Sequence, residues 1–317
     1  MIVRWGLAEL GDVLAELGAE RPLLVASERW TALDVPRVAH WSEVPSHRIE
    51  VPPDADCLLA VGGGSAIDTA KFASSETGLP LVSVPTTYSG SEWTPSFGIR
   101  SPDRRILGGG AGAHLEAVVY DVDLTLDLPQ PETVGTALNA LAHCAEALYV
   151  KGRNAEADRV ALEGAATIAG ALPRVVDAPS DRGARTDLLR GACLAGQALA
   201  GAGLGLGHAM AQALGGSYGL PHGAMNALTL PPALRFNEAV APDAIRRFGE
   251  AIAAPEDPAA KVEELARLAP FARLRDFGVA QGELRSVAEA AAARGGNQAN
   301  PRPATPAEID TLLQGIY

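Results

Sequence analysis

Short apolar runs alternate with helix-period stretches through the first part of the chain. A helical pattern over 7–17 is followed by apolar runs at 22–26 and 57–61, a helix opening at Ser65, and a further run at 81–84. Runs of four or five apolar residues bounded by turn residues predict buried strands, and their alternation with helices predicts a mainly parallel sheet. A glycine-rich stretch at 108–112 reads as a turn before another strand at 117–121. Residues 38–53 are rich in Pro, Ser and His and predict no helix, so one crossover is unusually short. From Leu128, Pro129 and Pro131 onward the pattern becomes long Ala/Leu/Arg helices, expected over 132–150, 155–176, 182–202, 207–214, 242–254, 259–267 and 305–313. Asn300-Pro301-Arg302-Pro303 reads as a stiff turn before the last of them. The boundary falls at 127/128, with an α/β cofactor-binding domain over 1–127 and an all-helical substrate domain over 128–317.

Composition narrows the function classes. The 317 residues are 47% hydrophobic and 20% charged, within the range of a globular chain that buries a sizeable core. A net charge of −12 argues against nucleic-acid or anionic-membrane partners, which need basic patches. A small-molecule substrate fits better, and an anionic cofactor would have to be held by backbone amides at a helix terminus. Cys57, Cys144 and Cys193 form no close pair and suit a reducing compartment. Residues 1–6 carry no signal-peptide pattern, so the expected location is cytoplasmic. The weakly polar stretch 191–216 is broken by Gln197, His208 and Gln212 and reads as a buried helical hairpin rather than a membrane span.

Two segments of the first domain carry candidate chemistry. Gly62-Gly63-Gly64-Ser65 joins an apolar strand to a helix. Glycines let the backbone approach a pyrophosphate, and the helix's free N–H groups favour an anion. The spacing is not the G-x-G-x-x-G dinucleotide fingerprint. Asp68 and Lys71 sit on the first turns of that helix, where pairing with neighbours explains them as well as a cofactor role does. The second segment, 84–95 (VPTTYSGSEWTP), is a dense run of hydroxyls directly after a strand. Such loops bind ligands in α/β sheets, and hydroxyls satisfy ribose and phosphate oxygens without adding charge. A self-capping turn explains one or two of these hydroxyls but not all.

The helical half holds Asn139 and His143 at i and i+4, hence on one face. It also holds His208 and His222, each beside small residues that let a substrate or ion come close. His40, His47 and His114 fall in expected loops and read as solvent-exposed.

With these motifs in place, the chain resembles the iron-containing alcohol dehydrogenase superfamily, and within it the maleylacetate reductase branch. The resemblance covers most of the chain. Its blocks are Gly62–Ser65, 85–95, 139–149 (NALAHCAEALY), 214–222 (LGGSYGLPH) and 300–303 (NPRP). It implies a dehydroquinate synthase-like architecture and NADH or NADPH as cofactor, with Gly63, Gly64, Ser65, Asp68, Thr86, Thr87, Ser91 and Arg105 at the cofactor positions. The superfamily's metal ligands, an Asp and three His, fall on Asn139, His143, His208 and His222. Replacement of the carboxylate by Asn is similar to the reductase branch and implies that no metal is held. If one is bound, His143, His208 and His222 are its ligands.

The resemblance further implies reduction of maleylacetate to 3-oxoadipate in aromatic-compound degradation, by a homodimer. His143 or His222 would then be the electrophilic or proton-donating residue, with His208 beside them and Tyr88 and Asn139 orienting substrate. Departures from the family pattern are a shortened N-terminal domain, Gln212 and Pro232 at positions where histidine is frequent, and alcohol-dehydrogenase-like stretches at 64–71 and 222–228. Two alternatives stay open. One is a Zn- or Fe-dependent alcohol dehydrogenase acting on a small aldehyde or alcohol, since three histidines can hold Zn²⁺. The other is a non-catalytic family member. Ser27-Glu28-Arg29 after the second strand offers both an acid for a ribose hydroxyl and a cation for a 2′-phosphate, leaving NADH against NADPH open.

Overall fold

The structure is a computed structural model that describes residues 1–101 and 105–317. The chain divides into two units, one of residues 1–87 and 91–128, the other of residues 88–90 and 129–317.

The first unit is built on β1 (Ile2–Trp5), α1 (Leu10–Glu16), β2 (Pro22–Val25), β3 (Ala39–Trp41), β4 (Cys57–Gly62), α2 (Gly64–Thr77), β5 (Pro80–Pro85), β6 (Phe97–Arg100), β7 (Ile106–Gly110) and β8 (His114–Tyr120). Among the described residues, six strands form one sheet in the order β1-β8-β5-β4-β2-β3, with every pairing parallel. A parallel sheet must be covered on both faces, which is why its central strands are continuously apolar. Along β4, Cys57, Leu59 and Val61 join a core that includes Leu10, Val13 and Leu14 of α1. Leu58 and Ala60 point the other way, into a core with Ile67, Ala70 and Ala73 of α2. Each fully buried Leu or Val contributes about 1.5–3 kcal/mol.

Three expectations for this unit are corrected. The glycines at 108–112 do not form a simple turn, because Gly108 to Gly110 lie in β7, paired antiparallel with β6. A run without side chains carries no period-2 signal, so it reads as a turn until its partner strand is seen. The stretch 38–53 has no helix, as expected, but it does supply the edge strand β3. His40 lies in that strand and is half-buried, with Nε2 2.8 Å from the Ala26 carbonyl, rather than sitting in an exposed loop. His114 also lies in a strand, though its side chain is exposed, and His47 is exposed as expected.

The second unit is helical: α3 (Gln130–Ala147), α4 (Ala155–Asp177), α5 (Arg182–Ala202), α6 (Leu206–Tyr218), α7 (His222–Glu238), α8 (Pro242–Ala251), α9 (Pro258–Ala266), α10 (Leu284–Ala292), α11 (Gly295–Ala299) and α12 (Pro306–Gly315). Helix α7 was not expected. Pro231 and Pro232 remove two backbone donors from its interior and read as a helix stop. Burial holds it together nonetheless, since residues 224–234 are all buried. Helices α3 and α7 meet at Gly135 and Gly223, where a Cβ on Gly223 would stand 2.4 Å from the Gly135 carbonyl carbon. Only glycine permits that approach, and it brings the polar faces of the two helices within hydrogen-bond reach.

Candidate functional site

In the α/β unit, strand β4 runs into Gly62 and Gly63, and α2 begins at Gly64. Gly62 has φ +149, in the region that favours glycine. A Cβ on Gly63 would meet Thr87 Cγ2 at 2.8 Å, whereas one on Gly64 would find only Ser91 Oγ, at 3.9 Å. The turn is therefore tight on one side and roomy on the other. Gly63 caps α2 without a side-chain bond, and the helix has no acidic residue in its first turn. Its leading N–H groups are suited to an anion. Thr86, 6% exposed, is tied by its backbone N–H to the Gly62 carbonyl at 3.1 Å. Thr87 Oγ1 is buried without a hydrogen-bond partner beside Gly63. A buried orphan hydroxyl next to an open helix terminus fits the phosphate of a dinucleotide.

The remaining expected cofactor residues divide. Ser65 is half-buried on the first turn of α2, and Ser91 opens a 3-10 helix over Ser91–Trp93. Asp68 and Lys71 brace that loop. Lys71 Nζ donates to the carbonyls of Ser91 at 2.5 Å and Ser96 at 3.0 Å, and Asp68 Oδ2 accepts from the Gly98 N–H at 3.2 Å. Burial lowers the Lys71 pKa and raises that of Asp68, each offset in part by the other's charge. Arg105 is exposed just before β7, its carbonyl accepting from Ser101. After β2, Glu28 and Arg29 are exposed, with the Arg29 guanidinium 4.9 Å from the Trp30 ring centre.

In the helical unit, the Asn139 carboxamide is the hub of a buried network. Its Nδ2 donates to the Ser89 carbonyl at 2.9 Å and to His143 Nε2 at 3.1 Å. Its Oδ1 lies 3.2 Å from His208 Nε2 and accepts from Asn226 Nδ2 at 2.7 Å. Asn226 Nδ2 is also 3.0 Å from His222 Nε2. The His143 and His208 rings stack with centroids 4.3 Å apart, and the His208 and His222 rings are 5.9 Å apart and tilted. Two of the three histidines thus meet the Asn139 amide directly, and His222 joins them through Asn226. Burial first, then the nearby His208 and His222 rings, holds His143 well below the ordinary histidine pKa, so its ring is neutral. Tyr88 is fully buried, its hydroxyl accepting from Arg185 Nη1 at 3.0 Å and its N–H donating to Thr136 Oγ1 at 3.3 Å.

Two members of the network were not picked out from the sequence. Glu146, three residues after His143, is fully buried and lies 2.7 Å from His208 Nδ1. Its signal was a lone carboxylate inside an Ala/Leu helix, a position acids almost never take unless paired. Asn226 stands at i+4 from His222, a spacing hidden because α7 itself was not expected.

The donor set does not fit a metal ion as arranged. A metal needs the ring lone pairs, yet His143 Nε2 and His222 Nε2 face amide N–H groups, and both nitrogens of His208 face acceptors. Among the described residues, no group of three or more His, Cys, Asp or Glu is arranged to hold one.

Residues 133–317 match the family described as Fe-containing alcohol dehydrogenase family, C-terminal, and residues 51–112 match the family described as iron-containing alcohol dehydrogenase. The chain is 38% identical over 264 residues to maleylacetate reductase 1 of Rhodococcus opacus, covering 83% of this chain and 73% of that protein. It is 35% identical over 328 aligned positions to maleylacetate reductase 1 of Cupriavidus pinatubonensis, covering 97% and 92%. The crystal structure of maleylacetate reductase from Agrobacterium tumefaciens superposes with a TM-score of 0.86 at 31% identity, covering 100% of this chain and 95% of that one. A putative alcohol dehydrogenase structure from Ralstonia eutropha gives a TM-score of 0.88 at 33% identity, with the same coverage.

Proposed function

Because the chain belongs to the iron-containing alcohol dehydrogenase family, we propose that it is an NAD(P)H-dependent reductase of maleylacetate that works without a bound metal. The observation that carries this reading is the Asn139 carboxamide. It stands where the family places a carboxylate ligand, and both of its N–H groups and its oxygen are engaged, by the Ser89 carbonyl, His143 and Asn226.

The α/β unit holds the cofactor in this reading. Gly63, Gly64 and Ser65 receive the pyrophosphate on the α2 N-terminus, and Thr86, Thr87 and Ser91 receive its oxygens and ribose, with Asp68 bracing the loop and Arg105 near it. When bound, the nicotinamide supplies a hydride. The helical unit holds the substrate. Maleylacetate carries a C=C bond conjugated with a ketone; a hydride added at the carbon β to the ketone leaves an enolate, and a proton at the α carbon completes reduction. The protein must stabilise the enolate oxygen and deliver a proton. A neutral histidine N–H can do the first without a Lewis acid, and His143 is buried and neutral. His208 and His222 flank it, and Tyr88 and Asn139 orient the substrate.

A cytoplasmic homodimer belongs to the same reading. Its support is the three buried free thiols and the terminal sheet strand β1, where Trp5 is 43% exposed. No helix among the described residues is long and apolar enough to cross a membrane.

The deciding experiment follows NADH and NADPH oxidation with maleylacetate and with a panel of small aldehydes, each with chelator and with added Zn²⁺ or Fe²⁺. Turnover of maleylacetate that survives exhaustive chelation is expected. Activity confined to aldehydes and restored only by stoichiometric metal would replace this reading with the metal-dependent alcohol dehydrogenase.

A further inference from the structure

Lys71 lies seven residues after Gly64, about 10 Å along α2, and has no exposed surface. Its ammonium is engaged by backbone. Nζ donates to the Ser91 carbonyl at 2.5 Å and to the Ser96 carbonyl at 3.0 Å, so one cation closes the two ends of a short turn.

The same turn grips the sheet. Glu92 is buried, and its Oε1 accepts from the Tyr120 hydroxyl at 2.6 Å, while Trp93 Nε1 donates to that hydroxyl at 2.8 Å. Two neighbouring side chains of the 3-10 helix thus hold one phenol oxygen at the end of β8. The Tyr120 ring in turn stacks on Trp5 of β1, with centroids 4.9 Å apart. Burial raises the Glu92 pKa and lowers that of Lys71, and the charges of Asp68 and Glu92 both act to keep Lys71 protonated. A buried cation left without its acids is costly, which ties these groups to one arrangement.

What this clamp fixes is Ser91. Its carbonyl is on Lys71, and its Oγ lies 3.9 Å from the place a Gly64 Cβ would take. Gly64 opens α2, so the Ser91 hydroxyl stands over the N–H groups at the helix start. Displacing the turn by an ångström takes that hydroxyl out of hydrogen-bond range of a group bound there.

We propose that Lys71 is a positioning residue for the nicotinamide cofactor: with the bond between Glu92 and Tyr120, its ammonium closes the 91–96 turn and holds the Ser91 hydroxyl over the start of α2. The assignment rests on the cofactor reading of that helix terminus. It adds to it a lysine that acts through Ser91 rather than on a phosphate.

The test is fluorescence titration of the whole protein with NADH and with NADPH, which reads Kd without turnover. Ser91→Ala removes the hydroxyl and should raise Kd about 5-fold, the worth of one neutral hydrogen bond. Lys71→Met keeps an unbranched buried side chain without the ammonium and should raise Kd to a similar extent for both nucleotides. The double variant decides. If Lys71 acts through Ser91, the combined loss stays at about 5-fold; independent contributions multiply to about 25-fold and overturn the assignment. A folded Lys71→Met with unchanged Kd overturns it as well, because a purely structural lysine lowers Tm and leaves Kd unmoved. Should Lys71→Met fail to fold, Tyr120→Phe loosens the same turn with every buried charge in place. It is expected to raise Kd and to be non-additive with Ser91→Ala, and silence or multiplication there overturns the assignment. A wild type that binds neither nucleotide removes the cofactor reading and this assignment together, whereas binding with multiplied losses removes this assignment alone.

Discussion

Asn139→Asp replaces one atom and tests whether the amide is bonded as described. The Nδ2 group supplies two protons, one to the Ser89 carbonyl and one to His143 Nε2. An aspartate carboxylate carries no proton, so the Ser89 carbonyl is left facing an acceptor, whereas His143 can answer by moving its ring proton to Nε2. At a residue only 4% exposed, no solvent replaces it. Leaving one buried polar group unpaired costs about 1–3 kcal/mol. For a domain of this size each kcal/mol moves Tm by about 2–4 °C, so the variant should melt about 2–12 °C below wild type in chelator. The same change places a carboxylate beside His143 and His208, with His222 one residue further on through Asn226. Zn²⁺ at a hundred times its Kd would stabilise the variant by about 2.7 kcal/mol. Wild type, with its ring nitrogens engaged by amides, should gain little. The assay is thermal unfolding of both proteins with EDTA and with a zinc titration. Equal Tm values in EDTA would refute the hydrogen-bond assignment, and equal stabilisation by zinc would refute the closed donor set.

Further expectations follow from the cofactor turn and from the C-terminal helix. Gly64→Val should fold, since a Cβ there meets only Ser91 Oγ at 3.9 Å, yet raise the KM for NAD(P)H strongly; a folded variant with unchanged KM would show that no pyrophosphate approaches this position. Thr87→Ala should weaken cofactor binding by about 1 kcal/mol, measured by fluorescence titration, because Thr87 Oγ1 has no hydrogen-bond partner in the protein and is left for the ligand. Thr86→Ala serves as the comparison, and if both are silent the hydroxyls only shape the turn. Helix α12 opens with a capping box in which Thr305 and Glu308 bond each other's backbone N–H groups. Those bonds and Arg302 hold the Glu308 pKa at about 2, against 4.5 for the free side chain. A depressed carboxylate pKa means that its stabilisation is complete above pH 4.5 and is lost as pH falls toward 2. Acid unfolding of Glu308→Gln should show a shallower dependence over that window, and an identical curve would remove Glu308 from the account.

The parts of this fold visible in the sequence are those in which local pattern and tertiary environment agree. Strands β4 and β5 are continuously apolar because both faces are covered, and the Gly62–Ser65 turn announces itself by composition. What escaped detection is where the environment overrides local preference. Two prolines read as a stop, but burial from 224 to 234 carries α7 through them, and with α7 went Asn226. Glycines 108–110 carry no pattern until β6 lies beside them. At the histidine cluster the residues were legible but their bonding was not. Whether Asn139 donates or accepts depends on the Ser89 carbonyl, fifty positions away in sequence. Glu146 gave a signal of its own, a lone acid in an apolar helix, and its meaning required the position of His208.

The assignment of Tyr88, Ser89 and Gly90 to the helical unit, although both flanks belong to the other unit, limits how the protein can be cut and recombined. A fragment beginning at Pro129 would lack the carbonyl that orients Asn139, the hydroxyl that receives Arg185, and the glycine whose Cβ position lies 3.1 Å from Gly196 Cα. Chimaeras between relatives joined near residue 128 face unequal demands at these three sites. Any residue at 89 supplies a carbonyl, so that contact survives a foreign sequence. Positions 88 and 90 depend on the side chain or on its absence, and they must be inherited together with Arg185 and Gly196.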